Sequence, residues 1–449
     1  MATRTVGIDL AIRGSHVATI LDDQGQILGA PIRFRLSESD LSKLIARIRK
    51  DLDPADRVVA VMEPTGMAWF PVAHWLQRAG CDVIRVKGQR VKALRRYLSE
   101  HAKTDALDAQ LLCALPGFGG KGLTSLFLPR AQQHALTRLT KQRARYREDI
   151  SSILRRLKDL IRWASPGLEA ALPPFNTGVS LAVLERFFDP RTMRRLGHRR
   201  LTAFLDKHVG GKHPAHGIFT QQLAERLQDA ARETIRLYPA REVDFALLQL
   251  EVRQEVERLR FFRKQIERLD EEIERLYTAL HPQDHLRTIP GLGKVLGPSL
   301  LAVIHTWSRF GQQRRLRGYT GLFPRRSESG GQDSPSQRIT KGGSNRLKRD
   351  RLLAADVARK FDPGLASVYY SMMVGKGKHH RQALCAVAMR LANRVYAVLK
   401  EGRPYVLRDP EGQEVTLAEA RAIIEARYKV PAATRYVRRK GSRSGELVA

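Results

Sequence analysis

Four carboxylates stand where predicted strands and a helix could bring them together. Asp9 lies in the first predicted strand, and Glu63 ends a later buried strand. Asp105 and Asp108 share one face of a predicted helix, because they are three residues apart. Carboxylate oxygens are hard ligands for Mg²⁺, and phosphodiester chemistry uses two such ions about 4 Å apart. Any one of these residues alone would be a turn former, a cap or a solvated side chain, but four in this order favour a metal site.

A serine on a glycine turn forms a second candidate site. Ser329 precedes Gly330-Gly331, and the surrounding segment 309–351 contains 12 basic and 3 acidic residues. The basic side chains placed to contact a phosphate are Arg325, Arg326, Arg338, Lys341 and Arg346. Such a serine can attack phosphorus while guanidinium groups stabilise the transition state. It can equally donate a hydrogen bond in a phosphate-binding loop, and the residues alone favour neither role.

A glycine-rich turn lies further upstream. The segment 289–297, Ile-Pro-Gly-Leu-Gly-Lys-Val-Leu-Gly, precedes an apolar run at 300–304. It is similar to the helix-hairpin-helix turn, whose backbone N–H groups bind a nucleic-acid phosphate. Gly291, Gly293 and Lys294 are therefore candidate nucleic-acid contacts. A turn that merely joins two core helices is the alternative.

The charge balance predicts a polyanionic partner. The 449 residues include 79 Lys and Arg against 46 Asp and Glu, a formal net charge of +33. Residues 1–125 carry 18 basic and 13 acidic side chains, so most of the excess lies beyond them. Because each phosphate contact by Lys or Arg releases counterions and adds affinity, nucleic acid is the expected partner.

Hydropathy and cysteine usage indicate a soluble cytoplasmic protein. No stretch approaches the ~20 apolar residues that span a bilayer, and the first residues lack the apolar core of a secretory signal. The three cysteines, Cys81, Cys113 and Cys385, are far apart and in apolar surroundings. This spacing excludes a disulfide framework and disfavours a zinc ribbon. We expect no membrane partner.

The elements that position the first site predict an α/β domain. In order, they are strands at 3–10, 15–21 and 26–34, a helix opened by Ser37, a strand at 58–62, a helix at 68–78, a strand at 81–86, and helices at 88–98 and 104–114. A turn at 22–25 joins the second and third strands. Three hairpin-connected strands followed by alternating helices and strands are typical of a ribonuclease H-like fold. The glycine-rich segment 116–122 predicts a hinge after this domain.

The opening Gly7-Ile8-Asp9-Leu10 also begins sugar kinases and other actin-like ATPases, which share this core fold. Those enzymes need further glycine-rich phosphate loops. None appears at a suitable place, and the stretch 119–122 is not a P-loop, because no GxxxxGK[ST] frame surrounds it. A kinase is therefore disfavoured.

Two long helices are predicted after the hinge. Apolar residues recur at helical spacing over 133–162, among many Arg and Lys. A heptad series over 245–280 has ten of eleven core positions apolar, with Glu255 as the exception. It fits a coiled coil with the 133–162 helix or with another subunit, and equally a helix inside a globular bundle. No chemical role can be assigned to residues 167–240 from their sequence.

Two sets of motifs resemble the DEDD transposases of the bacterial insertion-sequence family numbered one-ten. The first set is Gly7-Ile8-Asp9, Met62-Glu63-Pro64-Thr65-Gly66 and Lys103-Thr104-Asp105-Ala106-Leu107-Asp108-Ala109. The second set is the turn at 289–293, the run at 321–347 that contains Ser-Gly-Gly, and the Gly-Lys-Gly-Lys loop at 375–378 with the helix after it. The sets occur in the family's order and span residues 1–160 and 285–405.

The resemblance implies a recombinase with a RuvC-like domain that binds Mg²⁺ through the four carboxylates, Asp9, Glu63, Asp105 and Asp108. It makes Ser329 the nucleophile that joins the protein covalently to DNA. It also implies a homo-oligomer, dimer or tetramer, in which the carboxylates of one subunit face the serine of another. A structured non-coding guide RNA from the same element, a bridge RNA, would pair with target and donor DNA. A bacterial, nucleoid-associated location follows.

We therefore expect an α/β domain joined to all-α regions. The predicted regions are a RuvC-like DEDD catalytic domain at 1–125, a helical or coiled-coil oligomerisation region at 126–284 with an insertion at 167–240, a transposase domain with the serine nucleophile at 285–405, and a basic tail at 406–449. The predicted function is a DNA transposase. The alternatives are a RuvC-like, structure-selective nuclease that uses two-metal hydrolysis, and a non-enzymatic nucleic-acid-binding scaffold.

Overall fold

The structure, a computed structural model, forms two compact units, Met1–Leu128 and Pro129–Ala449. It describes residues 2–434 except for 87, 99–103, 118–122, 124, 210–215, 240–241, 324–327, 330, 334–338, 341 and 344. Most of the predicted hinge, and the last part of the basic tail from 435 onward, fall outside the described residues. The predicted boundaries at 284/285 and 405/406 stay predictions.

A five-stranded mixed sheet forms the first unit. Its strands are β1 Thr3–Asp9, β2 His16–Leu21, β3 Ile32–Phe34, β4 Arg57–Met62 and β5 Asp82–Arg85. They lie in the order β3-β2-β1-β4-β5. The strand β2 is antiparallel to β1 and β3, whereas β1, β4 and β5 are parallel. The predicted α/β character of this region is confirmed.

The third strand is shorter than predicted. The turn at 22–25 forms, with the Asp22 N–H donating to the Gln26 carbonyl at 3.0 Å. Beyond it only an isolated bridge joins Leu21 to Ile27. Gly29 then takes a left-handed backbone with φ of 78°, and Pro31 has no N–H to donate. Regular pairing therefore resumes only at β3.

Four helices cover the two faces of this sheet. They are α1 Glu38–Arg49, α2 Trp69–Arg78, α3 Gly88–Leu98 and α4 Asp105–Ala114. Alternate residues of β4 point to opposite faces, as a strand requires. Val58 and Ala60 share a core with α1 and α2, whereas Val59 and Val61 share one with residues of α3 and α4.

The second unit is mainly helical. Its helices are α5 Ala131–Ala164, α6 Pro166–Ala171, α7 Gly178–Phe187, α8 Pro190–Leu196, α9 His198–His208, α10 His216–Leu237, α11 Phe245–Leu280, α12 Leu296–Ile304, α13 Gln313–Thr320, α14 Asn345–Ala358, α15 Pro363–Tyr370, α16 His380–Glu401 and α17 Leu417–Arg427. Two strands of two residues each, β6 Glu328–Ser329 and β7 Gln332–Asp333, form a small hairpin. No helix in the described ranges is long and apolar enough to span a membrane.

The long helices α5 and α11 pack against each other within one chain. Glu255, the polar exception in the heptad series, is buried in this pair. Its carboxylate accepts two hydrogen bonds from Arg156 of α5, each 3.0 Å long, and one from Arg258. A buried carboxylate with these partners is compensated, so the exception is compatible with packing. Pairing of α11 with a second subunit stays a prediction.

The α5–α11 pair carries a separate core toward each end. One core joins it to α6–α10 and includes Ile153, Leu157 and Val252. The other joins it to α12–α16 and includes Leu136 and Ile273. The segment 167–240, which has no clear sequence pattern, is thus largely a set of short helices that cover the first core.

Candidate functional site

Asp9 and Glu63 lie at the same edge of the first unit's sheet. The strands β1 and β4 are parallel, and Ile8 pairs with Met62 in their register. Asp9 and Glu63 each follow one of these paired residues at the carboxyl end of its strand. This is the edge at which open α/β sheets hold their ligands. Strand register therefore brings two of the four predicted carboxylates together.

Helix α4 supplies the other two carboxylates. The Thr104 hydroxyl caps the helix by accepting from the Leu107 N–H at 3.1 Å. Asp105 and Asp108 lie in the first turn, where the helix dipole stabilises negative charge. The helix comes close to β1 because Gly7 has no side chain: a Cβ there would lie 1.9 Å from the Ala109 carbonyl oxygen. Gly7 therefore determines how near α4 can be to Asp9.

The four side chains Asp9, Glu63, Asp105 and Asp108, here called the carboxylate cluster, affect one another electrostatically. The pKa of Asp9 is raised to about 6, and burial is the largest cause. The next causes are the negative charges of Asp108, Asp105 and Glu63, in that order. Three predicted partners thus lie within electrostatic range of Asp9, and the cluster concentrates negative charge.

An arginine that the sequence analysis missed is paired with one member of the cluster. Arg95 of α3 donates from Nε to an Asp108 carboxylate oxygen at 2.8 Å, and its Nη2 pairs with the same oxygen. Among the described residues, no group of three or more His, Cys, Asp and Glu side chains is arranged to hold a metal ion.

The cluster nevertheless fits a divalent cation chemically. All four donors are hard carboxylates, and a cation would relieve the repulsion that raises the pKa of Asp9. Gly88 leaves room for one of them, because a Cβ there would lie 2.2 Å from Glu63 Oε1. Arg95 bonds to Oδ1 of Asp108, so an ion competes with Arg95 only for that oxygen.

Ser329 ends strand β6 and pairs with Gln332 of β7. The turn between them includes Gly331, whose φ of 79° suits a tight hairpin. The ends of the larger loop are tied together, since the Thr340 N–H donates to the Phe323 carbonyl at 3.0 Å. Ser329 therefore stands next to a hairpin turn in a loop closed at its base. Its predicted neighbours Arg325, Arg326, Arg338 and Lys341 lie outside the described residues.

The glycine-rich turn before α12 combines a structural residue with two accessible ones. Gly291 has φ of 88°, and a Cβ there would lie 2.4 Å from the Ala354 carbonyl of α14. It is therefore needed for packing. Gly293 is exposed, with nothing within 4 Å of a Cβ placed on it, and Lys294 is exposed beside it. Of the three predicted contacts in this turn, Gly293 and Lys294 are therefore the two that a phosphate can reach.

Lys294 and Arg346 line the same cleft of the second unit. Arg346 is largely buried, and its Nη2 donates to the Ser299 hydroxyl at 2.9 Å. The Ser299 hydroxyl in turn donates to Asp350 at 2.6 Å. Arginines of α5 and α14 complete the lining of this feature, here called the basic cleft: Arg143, Arg147 and Arg349.

Both halves of the chain match transposase families. Residues 6–166 match the DEDD family of IS110, described as Transposase. Residues 283–370 match the Transposase IS116/IS110/IS902 family. The first match contains the carboxylate cluster, and the second contains Ser329, Lys294 and Arg346. Together they define a transposase of an insertion sequence. The chain belongs to the IS110/IS116 family.

Relatives support this over most of the chain. The insertion element IS116 uncharacterized 44.8 kDa protein of Streptomyces clavuligerus is 26% identical, covering 91% of this chain and 97% of the relative. The insertion element IS110 uncharacterized 43.6 kDa protein of Streptomyces coelicolor is also 26% identical, covering 80% and 85%. The pilin gene-inverting protein of Moraxella bovis is 29% identical, covering 33% of this chain and 47% of the relative.

Three residues of these candidate sites were not predicted from the sequence: Arg95, Gly88 and Arg147. Arg95 and Gly88 act on carboxylates far from them in sequence, so no local pattern reveals them. Arg147 is one of many basic residues on α5. Its spacing of four from both Arg143 and Ser151 marks one helix face and was the only available signal.

Proposed function

We propose that this protein is a Mg²⁺-dependent DNA recombinase with a RuvC-like first unit and a serine nucleophile in the second. The observation that carries the proposal is the convergence on Asp9 of Asp108, Asp105 and Glu63, which contribute to a pKa of about 6. The strand order β3-β2-β1-β4-β5 supports the RuvC-like assignment. Membership of a transposase family supports cutting and rejoining of DNA as the reaction.

In this proposal the carboxylate cluster holds the metal. Asp9 and Glu63 present carboxylates from the sheet edge, and Asp105 and Asp108 present theirs from the first turn of α4. Bound Mg²⁺ would orient the scissile phosphate and offset charge that develops on its oxygens. Repulsion within the cluster, which Arg95 only partly offsets, favours uptake of a cation.

Ser329 is the proposed nucleophile. Its hydroxyl loses a proton to solvent, and Oγ bonds to phosphorus as the bond from phosphorus to one deoxyribose oxygen breaks. That oxygen takes up a proton and leaves as a free hydroxyl. A hydroxyl of a second DNA strand then loses its proton to solvent and bonds to the same phosphorus as the bond from phosphorus to Oγ breaks. Oγ takes up a proton, which restores Ser329, and the two strands are joined. The hairpin at Gly331 supports this role, because it places the serine beside a tight turn.

The proposal includes three partners: donor DNA, target DNA and a structured guide RNA of the same element. It also includes a homo-oligomer, dimer or tetramer, as the family resemblance implies. The formal net charge of +33 supports nucleic-acid partners in general. Asp9, Glu63, Asp105, Asp108 and Ser329 are the proposed catalytic residues.

The decisive experiment detects a covalent protein–DNA adduct on a denaturing gel. The full chain is mixed with Mg²⁺, labelled junction DNA of its element and transcribed flanking RNA. Wild type is expected to form an adduct, and Ser329→Ala is expected to form none. Ser327→Ala, a serine two residues away, is the matched control and should still form it. Cut DNA without an adduct in wild type would instead support a nuclease that activates water.

A second variant tests the carboxylate cluster. Asp9→Asn should abolish Mg²⁺-dependent cutting, whereas Asp23→Asn, at an exposed turn position, should leave it unchanged. Undiminished cutting by Asp9→Asn would remove the cluster from the mechanism and favour a scaffold or a different site.

The partners have separate tests. Omission of the transcribed RNA should abolish adduct formation if the RNA guides the reaction. Light scattering of the RNA-bound protein should give at least a dimer mass. A reaction that proceeds without RNA, or a monomer mass, would overturn the corresponding part of the proposal.

A further inference from the structure

The basic cleft of the second unit has the dimensions of a ligand site. Its volume is about 560 Å³, within the range of sites that bind small molecules. Four elements surround it: α5, α11, the turn into α12, and α14. Arg143, Arg147 and Ser151 line it from α5 at spacings of four residues, which places them on one helix face.

Most of the charge inside the cleft is already paired. Arg143 forms an ion pair with Asp270 of α11. Arg349 donates to Glu148 of α5 at 2.9 Å, and its Nε lies 3.8 Å from Asp350. The Arg143–Asp270 pair joins α5 to α11, and the Arg349–Glu148 pair joins α14 to α5. These charges therefore stabilise the packing of the helices that form the cleft.

Two cations of the cleft form no ion pair among the described residues, Arg147 and Lys294, and both are exposed. Lys294 lies within electrostatic range of Glu274, but both oxygens of that carboxylate already bond to Arg287. Arg147 also lies within electrostatic range of Arg263 on α11, whose pKa is lowered by burial and then by Arg147. Like charges at this distance repel each other and would be relieved by an anion.

The backbone adds further positive character at the same place. The Gly297 N–H donates to the Gly293 carbonyl at 2.9 Å, so the first helical turn starts at Gly293. The N–H groups of Lys294, Val295 and Leu296 then have no acceptor within the helix, as in the first turn of any helix. All three of these residues line the cleft. An anion there meets N–H donors as well as side chains.

We propose that the basic cleft binds a phosphodiester of a nucleic-acid backbone between Arg147 of α5 and Lys294 of the α12 turn. The exposed backbone of Gly293 lets the strand come close, since nothing lies within 4 Å of a Cβ at that position. Arg346 and Arg349 add positive potential from paired positions. The contact is to the phosphate and not to a base, so it does not depend on the nucleotide sequence.

This proposal rests on the proposed function only for the class of ligand. Family membership implies a DNA substrate, and the phosphodiester chemistry is shared by DNA and RNA. The site requires neither Ser329 nor the carboxylate cluster. Its binding can therefore be measured without any cutting.

The test measures affinity and its salt dependence for Arg147→Gln and Lys294→Gln in the full chain. Fluorescence anisotropy is recorded without Mg²⁺, with a labelled DNA duplex in one arm and the flanking RNA in the other. Each variant should bind at least one of these about fivefold more weakly. The slope of log affinity against log salt should fall by about 1 for each lost phosphate contact.

Arg145→Gln is the matched control. Arg145 is also exposed on α5 and carries the same charge, but it is about 200° around the helix from Arg147. It should leave affinity and slope close to wild type. A loss for DNA alone assigns the cleft to DNA, and a loss for RNA alone assigns it to RNA. Losses no greater than that of Arg145→Gln, or no loss in either arm, overturn the proposal.

Failure of this proposal and failure of the proposed function give different results. Ser329→Ala should bind both nucleic acids like wild type while it forms no adduct. Normal binding by the Arg147 and Lys294 variants, with an adduct that still needs Ser329, removes the cleft and keeps the mechanism. Weakened binding by the Arg147 and Lys294 variants, with an adduct that survives in Ser329→Ala, would support the cleft and reject the serine mechanism.

Discussion

The carboxylate cluster and the basic cleft each gather like charges, but they compensate them to different extents. In the cleft, Glu148 and Asp270 pair with arginines of other helices, and Asp350 pairs with Arg346 and Arg349 of its own helix. In the cluster, Arg95 pairs with Asp108. Within the described part of the chain, the other three carboxylates have no ion-pair partner.

This difference in pairing distinguishes charges that stabilise the fold from charges that are free to bind a ligand. Paired arginines in the cleft connect helices, so their main effect is on stability. Burial of Asp9 and repulsion within the cluster cost free energy in the absence of a ligand, and this cost is recovered when a cation binds. Arg147 and Lys294 are solvated, and they have no ion-pair partner among the described residues that an anion would have to displace. The cluster is thus suited to a cation, and the unpaired Arg147 and Lys294 are suited to an anion.

The largest expected effect comes from Gly7→Ala, which breaks the packing behind the cluster. The new Cβ would lie 1.9 Å from the Ala109 carbonyl, so α4 must move away from β1. Overpacking against rigid backbone should cost about 3 kcal/mol of unfolding free energy. Chemical denaturation measures the change. Gly318→Ala, an exposed helical position with open space around it, is the control and should be neutral or slightly stabilising.

The second prediction removes a paired charge from the basic cleft. Asp350 is 7% exposed, accepts from Ser299 and lies 3.7 Å from Arg346. Asp350→Asn leaves the largely buried Arg346 guanidinium without its counter-charge, so the variant should lose about 2 kcal/mol of stability. Thermal and chemical unfolding provide the measurement.

Glu148→Gln is the control for this change. Glu148 pairs with Arg349 but its side chain is 66% exposed, so its loss should cost well under 1 kcal/mol. Equal losses from the two variants would contradict the view that burial makes the Asp350 pairing structurally important.

The third prediction replaces Asp9 of the carboxylate cluster by Asn, the same change as at Asp350. Here we expect a gain in unfolding free energy instead of a loss. The folded-state pKa of Asp9 is about 6, above its ordinary value of 3.8. The folded protein therefore favours protonated Asp9, and this stability is lost as pH rises from about 4 through 6. Asp9→Asn removes the loss. Without metal, it should be more stable than wild type by about 1 kcal/mol at pH 7.5, after allowance for solvent access.

The measurement is the difference in unfolding free energy between wild type and Asp9→Asn at each pH. That difference should be near zero at pH 4 and grow toward neutral pH. Asp23→Asn should show no such trend. A constant difference across this range would mean that burial and the neighbouring carboxylates do not raise the pKa of Asp9.

Many of the elements that carry the two sites were predictable from the sequence, because the patterns that indicate them are local. Apolar runs and caps predicted β1, β4 and α4, and these elements carry the carboxylates. The heptad spacing predicted α11 but not its partner, since one apolar face fits any other. Arg95 and Arg147 were not predictable, because their roles depend on which helices pack together. The short β3 follows from Gly29 and Pro31, which the strand pattern did not weigh.

The smallest expected effect concerns Arg95, the cation that partly compensates the cluster. Its guanidinium bonds to Asp108, so it competes with a divalent ion for that carboxylate. Arg95→Gln should tighten Mn²⁺ binding about threefold, the size expected for a partly exposed ion pair. Isothermal titration with Mn²⁺ measures this directly. Arg96→Gln, exposed on the same helix, loses the same charge and should change affinity less. If the two variants match, long-range charge rather than the Asp108 contact governs cation uptake, and the cluster is open to metal without release of Arg95.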